Sequence, residues 1–233
     1  NLYSYKWKDG KTLYECDINI LNLFLDFYKN KMWKPFGSEI DCNNFYKDKT
    51  LSRLNLFLYN KYDSYKKSHI VNGLKTDSIS NLISDFDWDN ITDGTPTKIF
   101  HGDLQFDNVI YGNDRNFYLL DWRQDFNKGI IGDVYYDLAK MYGGVLMSYK
   151  LMKNNKNFTC FMDNNSVTYD YKTDDILDKF RGIYENWIIK NGYDLLKVKR
   201  ITSLIFLNMA PLHEKEFGDM LFFKSKKMLQ NDK

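Results

Sequence analysis

The segment from residue 98 to residue 122 constrains the fold most, because three short β-type runs interrupt an otherwise helical pattern there. The runs are residues 98–100, 108–111 and 117–120, and Gly112-Asn-Asp114 between the last two is a turn signal. Polar residues stand at the joints of this pattern. A hairpin returns the chain to the level at which it started, so the pattern predicts that Asn108 and Asp121 lie side by side.

Apolar residues recur at helical spacing on both sides of this segment. The predicted helices run from residue 18 to a point before Pro35 with Asp17 as N-cap, from 49 or 50 to about 63, from 78 to 86, from 135 to 152, and from 173 to Asn191-Gly192, with one or two more after it. A hairpin is predicted over residues 158–171, a turn at Asp9-Gly10 and a loop over residues 87–97. The chain is therefore predicted to be a mainly helical α+β protein with short β-hairpins.

Composition and charge exclude several classes of protein. The 233 residues include 33 basic and 31 acidic side chains that are mixed along the chain, so no nucleic-acid partner is predicted. Cys16, Cys42 and Cys160 lack the spacing of a zinc site or a disulfide framework, which indicates a reducing, cytoplasmic location. No apolar run approaches the roughly 20 residues of a membrane span. His69 is predicted to lie at the surface.

The polar residues at the joints have the chemistry of phosphoryl transfer. That reaction needs a carboxylate near the acceptor hydroxyl and oxygen ligands that hold Mg²⁺ against the phosphates. Asp103 lies in the first loop, Asn108 at its exit and Asp121 at the end of the hairpin. The His-Gly-Asp-x4-Asn string itself is expected by chance in roughly one chain in a thousand of this length.

The string His101-Gly-Asp-Leu-Gln-Phe-Asp-Asn108, followed by Leu119-Leu-Asp121-Trp, resembles the catalytic loop and metal-binding segment of the aminoglycoside phosphotransferase and choline kinase group, relatives of the protein kinases. The resemblance implies a C-terminal kinase-like lobe with Mg²⁺ and ATP as cofactors. Asp103 would be the catalytic base, and Asn108 and Asp121 would bind Mg²⁺. Ile110 would form an apolar floor under the adenine, and His101 would shape the loop.

A second resemblance lies downstream of this motif. The run Gly132-Asp-Val-Tyr-Tyr-Asp137-Leu-Ala-Lys resembles the segment that follows the metal-binding Asp in this group, most closely in bacterial members associated with cell-surface polysaccharide synthesis. It implies that Asp137 is structural and forms hydrogen bonds with the catalytic loop.

The start of the chain resembles the hinge that joins the two kinase lobes. Residues 1–15 would then be a hinge segment, with Tyr5 and Trp7 as candidate nucleotide contacts, and residues 16–233 the C-terminal lobe. The sequence contains no glycine-rich phosphate loop, so an N-terminal lobe that carries this loop and a paired lysine is expected upstream. Without it, we expect residues 1–233 to transfer phosphate poorly or not at all.

Two further residues are candidates for substrate contact. Arg123 could approach a phosphate or an anionic acceptor, or it could form a local ion pair with Asp125 or Asp133. His213 follows a helix that Pro211 is predicted to kink.

The leading hypothesis is an ATP-dependent phosphotransferase that acts on a hydroxyl group of a sugar, an amino alcohol such as choline, or a related metabolite. Its partners would be a nucleotide and a small-molecule hydroxyl acceptor. The alternative is a catalytically silent kinase-like module that binds a ligand or a partner.

Overall fold

The structure is a computed structural model, and it describes residues 7–34, 37, 40, 42, 44–59, 61–123, 126, 129, 131–148 and 157–232. Eight α-helices lie in these ranges: α1 Ile18–Phe27, α2 Lys49–Tyr59, α3 Ile79–Ser84, α4 Trp88–Thr92, α5 Val134–Leu146, α6 Asp175–Lys190, α7 Leu195–Met209 and α8 Lys215–Asn231. Nine strands accompany them: β1 Gly10–Thr12, β2 His69–Val71, β3 Leu74–Thr76, β4 Pro96–Thr97, β5 Val109–Gly112, β6 Phe117–Leu119, β7 Gly132–Asp133, β8 Phe158–Asp163 and β9 Ser166–Tyr171. The prediction of a mainly helical α+β fold is confirmed.

The helices form the body of the molecule. Helix α7 is buried along most of its length and packs between α5 and α8. The Thr202 hydroxyl in α7 donates a hydrogen bond to the Ala139 carbonyl of α5 at 3.0 Å, and the Tyr184 hydroxyl of α6 donates to the Leu138 carbonyl at 3.0 Å. Helix α5 is therefore held on two sides, which makes it a rigid support for the side chains on its remaining face.

The strands form three small sheets that lie around this helical body. The first has the order β1-β5-β6, the second β3-β2-β9-β8, and the third pairs β4 with β7. In the first sheet, Ile110 of β5 lies between Thr12 of β1 and Tyr118 of β6. All neighbouring strands are antiparallel except β2 and β9, which pair in parallel.

Local signals predicted several elements correctly. The Asp17 carboxylate accepts hydrogen bonds from the backbone N–H groups of Asn19 and Ile20, as an N-cap does, and α1 continues as a π-helical turn over Tyr28–Met32. The hairpins of β5 with β6 and of β8 with β9 lie where they were predicted. Helix α6 covers the predicted segment, and Pro211 lies in the short 3₁₀ turn Ala210–Leu212 that separates α7 from α8.

Other predictions were wrong. Residues 98–100 are not a strand, and the strand near this position is Pro96–Thr97, which pairs with Gly132–Asp133. The predicted loop over residues 87–97 therefore contains β4, and also α4, whose N-cap is Asp87. The second helix ends at Tyr59 rather than near residue 63. Residues 149–152 of the predicted fourth helix lie outside the described ranges.

Gly10 begins a strand where a turn was predicted. A β-carbon at this position would lie 2.4 Å from the Tyr111 carbonyl oxygen. Glycine is therefore needed here for the close approach of β1 to β5 rather than for a turn.

The β2–β3 hairpin was not predicted, and His69 within it is buried rather than exposed. The His69 Nδ1 atom lies 2.6 Å from the Lys226 Nζ atom of α8. Burial, together with the Lys226 charge, lowers the pKa of His69 to about 4, so this histidine is neutral at physiological pH.

Within the described ranges, no helix combines the length and the apolar character that crossing a membrane requires.

Candidate functional site

The loop over residues 101–108 is held in place by hydrogen bonds to the Asp137 side chain of α5. This buried carboxylate accepts hydrogen bonds from the backbone N–H groups of His101 at 2.9 Å and Gly102 at 2.7 Å. It also accepts from the Tyr28 hydroxyl at 3.1 Å and the Trp33 indole N–H at 3.3 Å. These are the loop contacts that the resemblance implies for Asp137. Burial outweighs the four donors and raises the pKa of Asp137 to about 6.

Gly102 is required by the shape of this loop. Its φ angle is +74°, and a β-carbon there would lie 2.5 Å from the Arg123 Cβ atom. The chain approaches so closely because the Arg123 backbone N–H donates a hydrogen bond to the His101 carbonyl at 2.8 Å. A left-handed backbone conformation and close packing both favour glycine. The Gly of the His-Gly-Asp string therefore has a structural reason.

Asp103 follows Gly102 in the chain, and two neighbouring side chains stabilise its negative charge. The Lys140 Nζ atom lies 2.7 Å from Asp103 Oδ1, and the Gln105 side-chain amide donates to the same oxygen at 3.0 Å. Burial opposes ionisation of Asp103, but Lys140 and Gln105 outweigh it and hold the pKa of Asp103 below its ordinary value. Asp103 is therefore ionised at neutral pH, and its side chain remains 38% exposed.

Asn108 joins the loop to the hairpin. Its Nδ2 atom donates to the Asp103 carbonyl oxygen at 2.8 Å and lies 3.4 Å from Asp103 Oδ2. The Leu120 backbone N–H donates to the Asn108 carbonyl at 2.8 Å, so the chain returns beside Asn108 one residue before Asp121. Asp121 is exposed and has a φ angle of +53°, a left-handed conformation that aspartate adopts more readily than most residues other than glycine.

A cavity of about 310 Å³ opens beside the loop, and we call it the loop cavity. Its described lining is Lys49, Arg53, Gly102, Asp103, Asp121, Arg123, Tyr136, Lys140, Ile205, Asn208, Met209 and Leu212. Three predicted site residues therefore come together at one cavity, namely Asp103, Asp121 and Arg123. Asn108 reaches this group through its hydrogen bond to Asp103.

His101 and His213 lie away from this cavity surface. The His101 ring is buried and packs against Trp122 at a centroid distance of 5.1 Å, and its Nδ1 atom accepts from the Asp103 backbone N–H at 3.2 Å. Burial lowers the pKa of His101, which suits a residue that shapes the loop. The His213 ring packs edge-on against Phe217 at 5.0 Å and is not part of the described lining.

Of the predicted nucleotide contacts, Ile110 lies in the first sheet and Trp7 lies in the segment before β1. Ile110 is half-buried at the centre of that sheet. Trp7 is 82% exposed, and its indole N–H donates to Asp9 at 2.7 Å. Tyr5 lies outside the described residues.

Arg123 lies over the Phe45 ring, with its guanidinium carbon 5.2 Å from the ring centroid. One suggested ion-pair partner, Asp125, is outside the described residues. The other, Asp133, is buried and accepts from the Tyr46 hydroxyl at 2.7 Å and from the Thr95 and Tyr135 backbone N–H groups at 2.8 and 3.0 Å.

Sequence reasoning missed Lys140, Lys49 and Arg53. A signal for Lys140 existed, because it follows Asp137 by three residues in one helix and so shares the face that meets the loop. Lys49 and Arg53 are four residues apart in α2. Nothing in their local sequence ties that helix to the loop.

The donors Asn108 and Asp121 are hard oxygen ligands of the kind that Mg²⁺ prefers. Among the described residues, no three His, Cys, Asp or Glu side chains are grouped so that they could hold a metal ion. A magnesium ion at this place would therefore depend on the Asn108 amide oxygen, and on phosphate oxygens or water for its remaining ligands.

We compared the chain with protein-family models, with curated proteins and with solved structures, and none of the three comparisons found a match.

Proposed function

We propose that this protein is an ATP-dependent phosphotransferase that acts on a hydroxyl group of a small molecule, and that the described residues form a kinase-like C-terminal lobe. The observation that supports this most is the loop cavity, because the Asp103 and Asp121 carboxylates both line it while Asn108 is bonded to Asp103. The three residue types that phosphoryl transfer needs thus occur around one space large enough for a small acceptor.

In this proposal Asp103 accepts a hydrogen bond from the acceptor hydroxyl and directs its oxygen at the γ-phosphorus of ATP. The new bond forms between that oxygen and phosphorus, the bond to the β–γ bridging oxygen breaks, and ADP leaves. The hydroxyl proton passes to Asp103. Asn108 and Asp121 would hold Mg²⁺, which neutralises phosphate charge when it is bound.

The low pKa of Asp103 suits orientation better than strong basicity. A carboxylate paired with Lys140 at 2.7 Å is ionised but weakly basic. In a loose phosphoryl-transfer transition state, positioning contributes more than proton removal, so a weak base is sufficient.

The proposal extends to the nucleotide. Ile110 would lie under the adenine, and Trp7 and Tyr5 would belong to the hinge. The phosphate-covering loop and its paired lysine would come from an N-terminal lobe upstream. A role in cell-surface polysaccharide synthesis belongs to the proposal only through the resemblance of residues 132–140.

One observation favours the alternative, a kinase-like module without catalysis. The side chain of Lys140 is only 10% exposed, and its ion pair with Asp103 could hold that carboxylate away from any acceptor. The two proposals differ in ATP turnover, since the silent module would bind ligand or partner without consuming ATP.

The test is an Asp103→Asn variant of the natural full-length protein, assayed for ADP release with a panel of hydroxyl compounds. Loss of the carboxylate should lower turnover by about 10²-fold or more, as expected for a group that acts on the reacting proton. Asp26→Asn is the matched control, because Asp26 is an exposed carboxylate on α1. Turnover unaffected by Asp103→Asn would remove Asp103 from the reaction, and absence of turnover in the wild-type protein with every compound would favour the silent module.

A further inference from the structure

The described lining of the loop cavity contains more cationic than anionic side chains. It has four cationic side chains, from Lys49, Arg53, Arg123 and Lys140, and two carboxylates. One of those cations, Lys140, is already paired with Asp103. Within the described ranges, Lys49 and Arg53 form no ion pair.

Lys49 is held by neutral groups instead. Its Nζ atom donates to the Tyr136 hydroxyl at 3.3 Å and lies 4.5 Å from the centroid of the Phe45 ring. Arg53 follows four residues later in α2, so both side chains project from the same side of this helix. Aromatic rings and a phenol stabilise a cation only modestly, and they leave its charge available to an anion.

The pKa of Tyr136 is also affected by the cations around the loop cavity. Burial by itself would raise the pKa of this phenol, yet the charges of Lys140, Lys49 and Arg123 outweigh burial and lower it. Burial and the neighbouring cations Arg123 and Lys140 also lower the pKa of Lys49. The lowered pKa of Tyr136 is the direction expected beside several cations, whereas burial is the main cause of the lowered pKa of Lys49.

Another part of the described lining suits a carbon skeleton. It comes from α7 and the turn that follows, which pack against α2, and it contributes Ile205, Met209 and Leu212 as apolar contacts. Between them lies Asn208, whose buried Oδ1 atom has no hydrogen-bond partner among the described residues. A buried amide oxygen without a donor is costly.

We propose that the acceptor bound in the loop cavity is an anionic hydroxyl compound, one that carries a phosphate or carboxylate group recognised by Lys49 and Arg53. This inference rests on the proposed function. The acceptor hydroxyl faces Asp103, its carbon skeleton lies against Ile205 and Met209, and its anionic group lies against α2. Cationic amino alcohols are disfavoured as acceptors, because they would place a positive charge beside Lys49 and Arg53.

Two experiments test this in the natural full-length protein. In the first, ADP release is measured with two series of related acceptors that carry different charges. One series is glucose, glucosamine, glucuronate and glucose 6-phosphate, and the other is glycerol, glycerol 3-phosphate and choline. The phosphate and carboxylate compounds should be turned over in preference to their neutral and cationic counterparts. Preferred turnover of a neutral or cationic member would overturn the proposal and leave the phosphotransferase function intact.

In the second experiment, inorganic phosphate is titrated calorimetrically into wild type, Lys49→Met and Arg53→Met in the presence of MgADP. Each variant should bind phosphate roughly tenfold more weakly, because a charge-assisted contact is lost. Lys47→Met is the matched control, since Lys47 is two residues away and lies over the Trp88 ring rather than in the cavity. Equal binding by all four proteins, or an equal loss in the control, would overturn the proposal.

The same variants separate acceptor binding from nucleotide binding. Lys49→Met should raise the KM for the anionic acceptor and leave the KM for MgATP unchanged. A rise in the KM for MgATP alone would mean that these cations bind the nucleotide phosphates, which also overturns the proposal. If no acceptor of any charge supports ADP release, the proposed function fails, and the phosphate titration still decides whether the cavity binds anions.

Discussion

Replacing Asp137 with alanine tests whether the carboxylate beneath the 101–108 loop supports the candidate site. The change removes the acceptor of four hydrogen bonds, two of them from the buried backbone N–H groups of His101 and Gly102. A buried donor that loses its partner costs about 1–3 kcal/mol. The two backbone donors alone therefore predict a loss of about 2–6 kcal/mol in the free energy of unfolding, and water entering the vacated space favours the lower half of that range.

The measurement is urea unfolding of wild type and Asp137→Ala, followed by circular dichroism. The midpoint should fall while the slope of the free energy with urea stays the same. Asp26→Ala is the matched control, because it removes an exposed carboxylate and should change stability by about 0.5 kcal/mol or less. An Asp137→Ala midpoint equal to that of the control would refute the role assigned to this residue.

A milder variant covers the case in which Asp137→Ala does not fold. Tyr28→Phe removes one donor to Asp137 and keeps the ring in the core. It should cost about 1 kcal/mol, the net contribution of one hydrogen bond. Unchanged stability of this variant would show that the carboxylate is not held as the structure describes.

Three further predictions concern charge. Lys140→Met removes the cation that holds the pKa of Asp103 low. The acid limb of the profile of kcat/KM against pH should therefore move to higher pH. An acid limb at the same pH in the variant would mean that it does not reflect the ionisation of Asp103. Asp121→Ala should weaken binding of MgATP roughly tenfold or more by calorimetry, since it removes one of two proposed metal ligands, and unchanged affinity would exclude Asp121 from the metal site. Burial, together with the nearby charges of Lys227 and Arg181, lowers the pKa of Lys224 from 10.5 to about 7. Between pH 7 and pH 10.5, the Lys224 side chain is therefore protonated in the unfolded chain and mostly deprotonated in the folded protein. From pH 7 to pH 9, the free energy of unfolding of wild type should therefore rise by roughly 2–3 kcal/mol relative to that of Lys224→Met. If the two proteins show the same dependence of unfolding free energy on pH, the lowered pKa of Lys224 is contradicted.

The sequence predicted best those elements whose signals are local. The Asp17 cap, the hairpin turn after Gly112 and the helical stripe of α6 depend on residues within one or two turns of each other. The β2–β3 hairpin was missed because its strands are only three residues long and β2 is completed by β9, far along the chain. The Ile70 backbone N–H donates to the Asn165 carbonyl at 2.8 Å, a contact that no local pattern contains.

The candidate site divides in the same way. Residues 101–121 contain Asp103, Asn108 and Asp121, and one loop and one hairpin suffice to bring them together, so the sequence by itself determined the candidate reactive groups. The charge of the cavity beside them depends on Lys49 and Arg53 from α2 and on Lys140 from α5. Only the tertiary structure decided that these cations surround Asp103, because helix packing sets which faces meet, and helical periodicity shows only that each helix has a face to bury.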